Sequence, residues 1–173
     1  MMETPRLSMR LHRIEDFGAS AAMWADPEIV RHISGVPATR EQSWARIMRY
    51  RGHWSLLDYG YWVVEDRATG TFIGEVGFAD YHRESQPSLD GMPELGWALA
   101  RHAHGKGYAT EAVRASLRWA EEHFAASTRI VSMIAPENAA SIRVAEKCGL
   151  SVWQEACYQN SRVFLYARTL SSS

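Results

Sequence analysis

Alternation and helical spacing divide the 173-residue chain into short segments with few gaps. "RLSMRL" puts Leu7, Met9 and Leu11 at every second position, the pattern of a half-buried strand. "IEDFGASAAMWADPE" reads as helix as far as Asp26, since Pro27 disfavours helical geometry at the residue before it. A second helix is predicted in "TREQSWARIMRYRGHWSLLDYG". Thr39 and Gln42 stand at capping-box spacing there, and Trp44, Ile47, Met48 and Trp54 approximate one stripe. "YWVVEDRATGTFIGEVGFADY" gives two β-rich runs around Asp66 to Gly70, an antiparallel hairpin. "HRESQPSLDGMP" is a polar loop, and "ELGWALA" a short strand.

Beyond that strand, Ala112, Val113, Leu117, Ala120 and Phe124 recur at helical spacing, predicting a long amphipathic helix from Ala109 to about Phe124. "RIVSMIA" is a β-branched run suited to a buried strand. "PENAASIRVAEKCGL" follows as a helix, with Asn138 as its candidate N-cap and Gly149 as the left-handed residue past its end. "LSVWQEA" and "RVFLYART" make a last pair of strands before a frayed "SSS" tail. The order β-α-α-β-β-β-α-β-α-β-β, without repeat or linker, predicts a single α/β domain over 1–173 built on a mixed sheet.

Composition narrows the function more than the fold. Hydrophobic residues make up 46% and charged residues 23%, an ordinary globular balance. A net charge of −1 and the lack of a basic run argue against nucleic acid as partner. No apolar run approaches the roughly 20 residues of a membrane span. "MMETPRLSMR" lacks the apolar core of a secretory signal, and two cysteines make no disulfide framework, so cytoplasmic residence is expected. Cys148 reads as a small buried hydrophobe rather than a nucleophile, and Cys157 has no better claim.

The candidate chemistry centres on "RHAHGKGYATEA", residues 101–112, where a glycine turn leads from a strand into a helix. A P-loop would need Ser or Thr after Gly105-Lys106 to hold Mg²⁺, and Gly107 stands there instead. A dinucleotide fingerprint would need a third glycine where Thr110 lies. The stretch resembles the pyrophosphate loop of the GNAT acyltransferases, Gln/Arg-x-x-Gly-x-Gly/Ala. It is most similar to the branch of the ribosomal-protein N-terminal acetyltransferases, whose loops often read Gly-x-Gly-Tyr-Ala-Thr-Glu-Ala, here Gly105 to Ala112. "DPE" at 26–28, "IGEVGF" at 73–78, "ELGW" at 94–97 and "PENAASIRVAEKCGL" at 136–150 follow in family order. The departure is His102, which occupies the Gln/Arg position.

Physical chemistry points the same way. The first turn of a helix offers orphan N–H donors and a partial positive charge to an anion. Gly105 and Gly107 permit close backbone approach, while Lys106 and Arg101 add positive charge nearby.

The resemblance implies a twisted, mostly antiparallel sheet of six to seven strands with about four helices, splayed between the fourth and fifth strands. It implies acetyl-CoA as co-substrate, no metal, and an amine acceptor. The pantetheine arm would lie along Trp97, Ala98, Leu99 and Ala100, and the diphosphate on His104, Gly105, Lys106, Gly107, Tyr108, Ala109 and Thr110. Asn138 would bond the arm, Ser141 would lie near the thioester sulfur, and Lys147 would reach the phosphates or remain a surface lysine. His102 and His104 lack acidic companions, which speaks against a metal site.

Amine attack on a thioester requires a proton to leave the amine and one to reach the sulfur. Glu94 is the first candidate base and Glu75 the second, although either could serve as a cross-strand ion-pair partner. Ser141 is the candidate acid, ahead of Tyr108, and the N–H of Leu99 or Trp97 would face the developing oxyanion. Trp24, Trp44 and Trp54 lie in the helices that wall the acceptor side, where they serve as core or as recognition. The acceptor expected is a primary amine, either a peptide N-terminus or a small amine. An acidic trio of Glu84, Asp90 and Glu94 would suit a polyamine. A non-catalytic acyl-CoA sensor is the alternative, and it would need neither Glu94 nor Ser141. The resemblance also allows a homodimer through the C-terminal strands.

Overall fold

A computed structural model describes residues 1–171; Ser172 and Ser173 of the expected tail lie outside it. Nine strands form one sheet in the order β1-β2-β3-β4-β6-β7-β9-β8-β5. They are β1 (Met2–Glu3), β2 (Leu7–Arg10), β3 (Tyr61–Asp66), β4 (Phe72–Ala79), β5 (Ser85–Gln86), β6 (Glu94–Leu99), β7 (Arg129–Ile134), β8 (Ser151–Tyr158) and β9 (Ser161–Thr169). Five α-helices accompany them: α1 (Phe17–Trp24), α2 (Pro27–Val30), α3 (Arg40–Leu57), α4 (Tyr108–His123) and α5 (Ala139–Lys147). The architecture is the mixed, mostly antiparallel sheet flanked by helices that the resemblance implies. The additional strands are the two-residue β1 and β5, too short for a periodicity to reveal, and the additional helix is the single turn α2. None of these helices is long and apolar enough to cross a membrane.

Strand alternation assigns the two faces. On one side Leu7, Met9, Trp62, Val64, Val76, Phe78, Leu95 and Leu99 pack against Ala112, Val113 and Leu117 of α4 in the main core. Trp119 lies among Trp54, Trp62, Phe78 and Phe124, with ring centroids 5.2 Å from Trp62 and 5.5 Å from Trp54. Edge-to-face packing of this kind adds about 0.5–1.5 kcal/mol per pair beyond burial. On the other side Met23, Trp24, Ile29 and Val30 of α1 and α2 pack on Ala98.

That second face explains where the predicted α3 stripe fails. The helix begins at the predicted capping box, with Thr39 accepting from the Gln42 N–H and Gln42 from the Thr39 N–H. Yet it buries Ser43, Ile47, Tyr50 and His53, leaving Trp44 40% and Met48 43% exposed. The sheet beneath presents Tyr61 and Glu75, so a polar helix face is the better match. Leu11 also departs from the alternation and is 37% exposed. β2 ends at Arg10, whose guanidinium is bound by Asp16 and Glu65. Asp26 ends the first helical run as expected, but it also caps α2 by accepting from the Glu28 N–H at 2.9 Å, with Pro27 in the first turn.

Among the described residues β6 and β7 are the single parallel pair, and they meet only where Glu94 stands opposite Val131. Beyond that point the strands diverge. Ser132 Oγ donates to the Leu95 carbonyl and pins the closed end. Gly77 keeps β3 tight against β4: a Cβ there would lie 2.4 Å from both the Gly60 carbonyl oxygen and the Tyr61 Cα. Gly77→Ala is expected to lower stability by about 1–3 kcal/mol, read from urea unfolding, because backbone rather than a movable side chain must give way.

Candidate active site

The open end of the splay leads into the glycine turn. Gly105 and Gly107 adopt φ of +73° and +78°, conformations that side chains rarely tolerate. Gly107 precedes α4 with no side-chain cap, and no backbone N–H from Gly105 through Thr110 donates to another group among the described residues. A Cβ at Gly105 would have nothing within 4 Å, so the turn is open there, whereas at Gly107 one would meet the Arg6 guanidinium at 3.5 Å. Uncapped amides beside open space fit an anion such as a diphosphate.

The turn is held from outside itself. Arg6 donates to the Lys106 carbonyl at 2.8 Å and to Glu111 Oε2 at 2.7 Å, and its guanidinium lies 4.6 Å from the Tyr108 ring centre. Thr4 Oγ1 and the Arg6 N–H donate to Glu111 Oε1. Burial works against the Glu111 charge, but Thr4 and Arg6 hold its carboxyl below the usual carboxylate range. Tyr108 reaches Asp66 in the β3–β4 turn at 3.3 Å. His104 Nε2 lies 2.8 Å from the Leu99 carbonyl oxygen, clasping the turn to the end of β6. Arg101 turns away to Asp26 and His102 is exposed. Arg6, Thr4 and Glu111 carried no local signal in the sequence, since the partners lie more than a hundred residues apart.

Along β6, the Ala100 N–H donates to Ile73 across the antiparallel pair with β4. Alternation then turns the N–H groups of Trp97 and Leu99 toward β7, into the gap. Across it, Asn138 Oδ1 accepts from the Ser141 N–H at 3.2 Å, so the predicted cap is present. Ser141 Oγ and the Asn138 amide nitrogen have no hydrogen-bond partner among the described residues, and both side chains are half-buried. Lys147 stands apart from the other predicted residues. It closes α5 beside Arg114, Arg118 and Arg168, lining a groove of about 470 Å³.

The two candidate bases share the α1–α3 face of the sheet. Glu94, 8% exposed, is bound by Arg83 through both carboxylate oxygens at 2.8 and 2.9 Å. Burial works against the Arg83 charge, but Glu94 and Tyr158 hold its guanidinium above the ordinary value. Glu75 is fully buried: His12 Nε2 lies 3.1 Å from Oε1, Ser20 donates to Oε1 at 2.6 Å, and Trp24 donates to Oε2 at 2.7 Å. Burial would raise its carboxyl, but His12, Ser20 and Trp24 together hold it below the usual range. Between the two acids, a Cβ on Gly96 would fall 2.0 Å from the Tyr61 hydroxyl, so that phenol lies directly over β6. Burial pushes the Tyr61 phenol far up, keeping it neutral. Of the tryptophans, Trp24 and Trp54 belong to packed clusters, while Trp44 rests at the surface against Phe17.

Comparison with known proteins agrees with this architecture. The family model described as an acetyltransferase (GNAT) domain matches residues 6–151. The chain is similar to YkkB, a protein of Bacillus subtilis (strain 168), at 32% identity over 84% of this chain and 81% of that one. It is similar in structure to an acetyltransferase from Agrobacterium tumefaciens str. C58, with TM-score 0.82, 26% identity, and coverage of 96% and 92%. It shares its fold with RimL, a ribosomal L7/L12 alpha-N-protein acetyltransferase solved with coenzyme A (TM-score 0.78, 13% identity, 98% and 97% covered).

The Glu75 cluster generates a pH prediction. With its carboxyl depressed in the fold, Glu75 contributes fully above its ordinary value of 4.5, and the contribution is lost as pH falls through the lower folded value. Glu75→Gln should cost about 1–3 kcal/mol at neutral pH. It should also flatten the acid limb of stability, measured by urea unfolding from neutral pH down to about pH 3.

Proposed function

The chain belongs to the GNAT acetyltransferase family and is an acyltransferase, and from that premise we propose how its residues transfer acetyl from acetyl-CoA to a primary amine. The observation that carries the proposal is the uncapped run of N–H groups from Gly105 to Thr110 at the open end of the β6–β7 splay. The amides of Gly105 to Thr110 would hold the diphosphate, with Lys106 adding charge; the predicted His104 amide is not among them, because it donates to the Arg101 carbonyl. The β6 backbone from Trp97 to Ala100 and the Asn138 amide would hold the pantetheine arm in the gap. Lys147, in the groove with Arg114, Arg118 and Arg168, fits the surface-lysine alternative better than a contact at the diphosphate turn.

Acetyl-CoA supplies an activated carbonyl and a thiolate leaving group. The N–H of Trp97 or Leu99 stabilises negative charge on the carbonyl oxygen as the amine attacks. Glu94 takes the proton that the amine must shed, through water, because Arg83 already occupies both its oxygens in one direction. Ser141, whose hydroxyl has no partner among the described residues, gives a proton to the sulfur as the C–S bond breaks. Glu75 is better suited to holding His12, Ser20 and Trp24 in place, since all three converge on it. The acceptor is a peptide N-terminus or a small amine, and the setting is cytoplasmic.

Two measurements test this reading. Free-thiol release from acetyl-CoA with a panel of amines should show transfer, and the Glu94→Gln, Ser141→Ala pair should lower kcat by about 10²–10⁴-fold while leaving CoA binding intact. Equal and negligible release before and after substitution, with CoA still bound, would return the protein to the acyl-CoA sensor reading. Separately, Gly105→Ala places a side chain at φ +73° with no clash, so its effect is conformational alone. Calorimetry should show CoA affinity reduced about tenfold, from a left-handed penalty of about 1–2 kcal/mol.

A further inference from the structure

Resting on the acetyltransferase reading, we infer that the acceptor amine carries a carboxylate, recognised by Arg46 and Arg49 of α3. The face of the sheet beneath α1 and α3 is where an acceptor would meet the splay, because the diphosphate turn belongs to the α4 side. Its charged groups can be accounted for one by one. Glu94 is matched by Arg83. Glu75 is enclosed by His12, Ser20 and Trp24. Asp80 and Asp90 both face His82, at 3.7 and 3.5 Å, and the Gly91 N–H also donates to Asp80. Glu84 is exposed on the loop. The acidic trio suggested for a polyamine therefore does not converge on one pocket.

Three cations of α3 rest on aromatic rings without an acid: Arg40, 4.6 Å from the Phe17 ring centre at the start of the helix, and, further along, Arg46 and Arg49. Arg46 and Arg49 stand one helical turn apart, on the same side of α3. Neither forms an ion pair among the described residues, and Arg46 Nη1 is buried without any hydrogen-bond partner. Aromatic rings hold both: the Arg46 guanidinium lies 3.8 Å from the Trp24 ring centre, and that of Arg49 lies 5.0 Å from Tyr81 and 6.0 Å from Tyr50. Tyr81 also carries Arg83 at 4.5 Å, which ties this aromatic support to Glu94 at the closed end of the splay. The rings position both guanidinium groups, and neither group donates a hydrogen bond among the described residues, so N–H pairs remain for bidentate recognition of a carboxylate. A buried N–H without a partner is costly, and a carboxylate oxygen would relieve that cost.

The test uses the full-length chain with three acceptors matched in size: an ω-amino carboxylate, its primary amide and a linear polyamine. With acetyl-CoA in excess, kcat/KM for the carboxylate should exceed that for the amide by about tenfold or more, mainly through KM. Arg49→Gln, at an exposed position that leaves packing intact, should shrink that ratio severalfold, with Arg49→Lys retaining part of it. Arg46→Gln should act in the same direction. A polyamine or amide preferred over the carboxylate, or a ratio unmoved by both substitutions, would overturn the inference. If no amine is acetylated, the failure lies with the enzymatic reading. Calorimetric titration of the carboxylate and its amide into the CoA-saturated protein then decides: carboxylate-selective binding lost in Arg49→Gln supports the recognition role, and its absence overturns it.

Discussion

Two adjacent parallel strands that must not close govern this molecule. Had β6 and β7 continued in register past Glu94 and Val131, the amides of Trp97 and Leu99 would be consumed by the sheet, and no gap would remain for a pantetheine chain. Each strand is instead satisfied on its other side, β6 by β4 and β7 by β9. The opening is therefore not a defect in the ladder. In the proposed reading, it is a place where unpaired backbone polarity is retained for a ligand that can complete it.

The two sides of the sheet meet different demands. On the α4 side, apolar packing of Trp62, Phe78 and Trp119 supplies ordinary cohesion. On the other side, cohesion rests on charges and hydrogen bonds that must be matched individually. Glu75 joins β4 to α1 through Ser20 and Trp24 and to the β2–α1 connection through His12. Such a buried carboxylate adds little net stability over a hydrophobic substitute, but leaving any of its partners unmatched is costly. Its value is positional, since it fixes the indole on which Arg46 stacks.

Much of this was legible in the sequence, for identifiable reasons. α4 shows an apolar period, and it buries Ala112, Val113, Leu117 and Ala120 as that period requires. The α5 cap at Asn138, the left-handed Gly149 and the capping box at Thr39 and Gln42 are local chemistry, visible within four residues. What failed to show was long-range or polar. The α3 face is hidden from the pattern because Trp44 and Met48 imitate a buried stripe, whereas Ser43 and His53 do not look like core. Glu94 and Arg83 lie 11 residues apart across a loop, and no periodicity links them. Pairing of β5 with β8 joins the polar loop to a strand some seventy residues later, again beyond local pattern.

The strap formed by Thr4, Arg6 and Glu111 has a consequence for how this architecture can be borrowed. The shape of the glycine turn depends on a guanidinium delivered by the connection between β1 and β2, at the far end of the primary structure. Grafting residues 101–112 onto another scaffold would transplant the lettering without its brace. Tailoring the protein's first few residues, for a tag or a fusion, is likewise an intervention at the glycine turn and the nucleotide subsite proposed there, however remote it looks on paper.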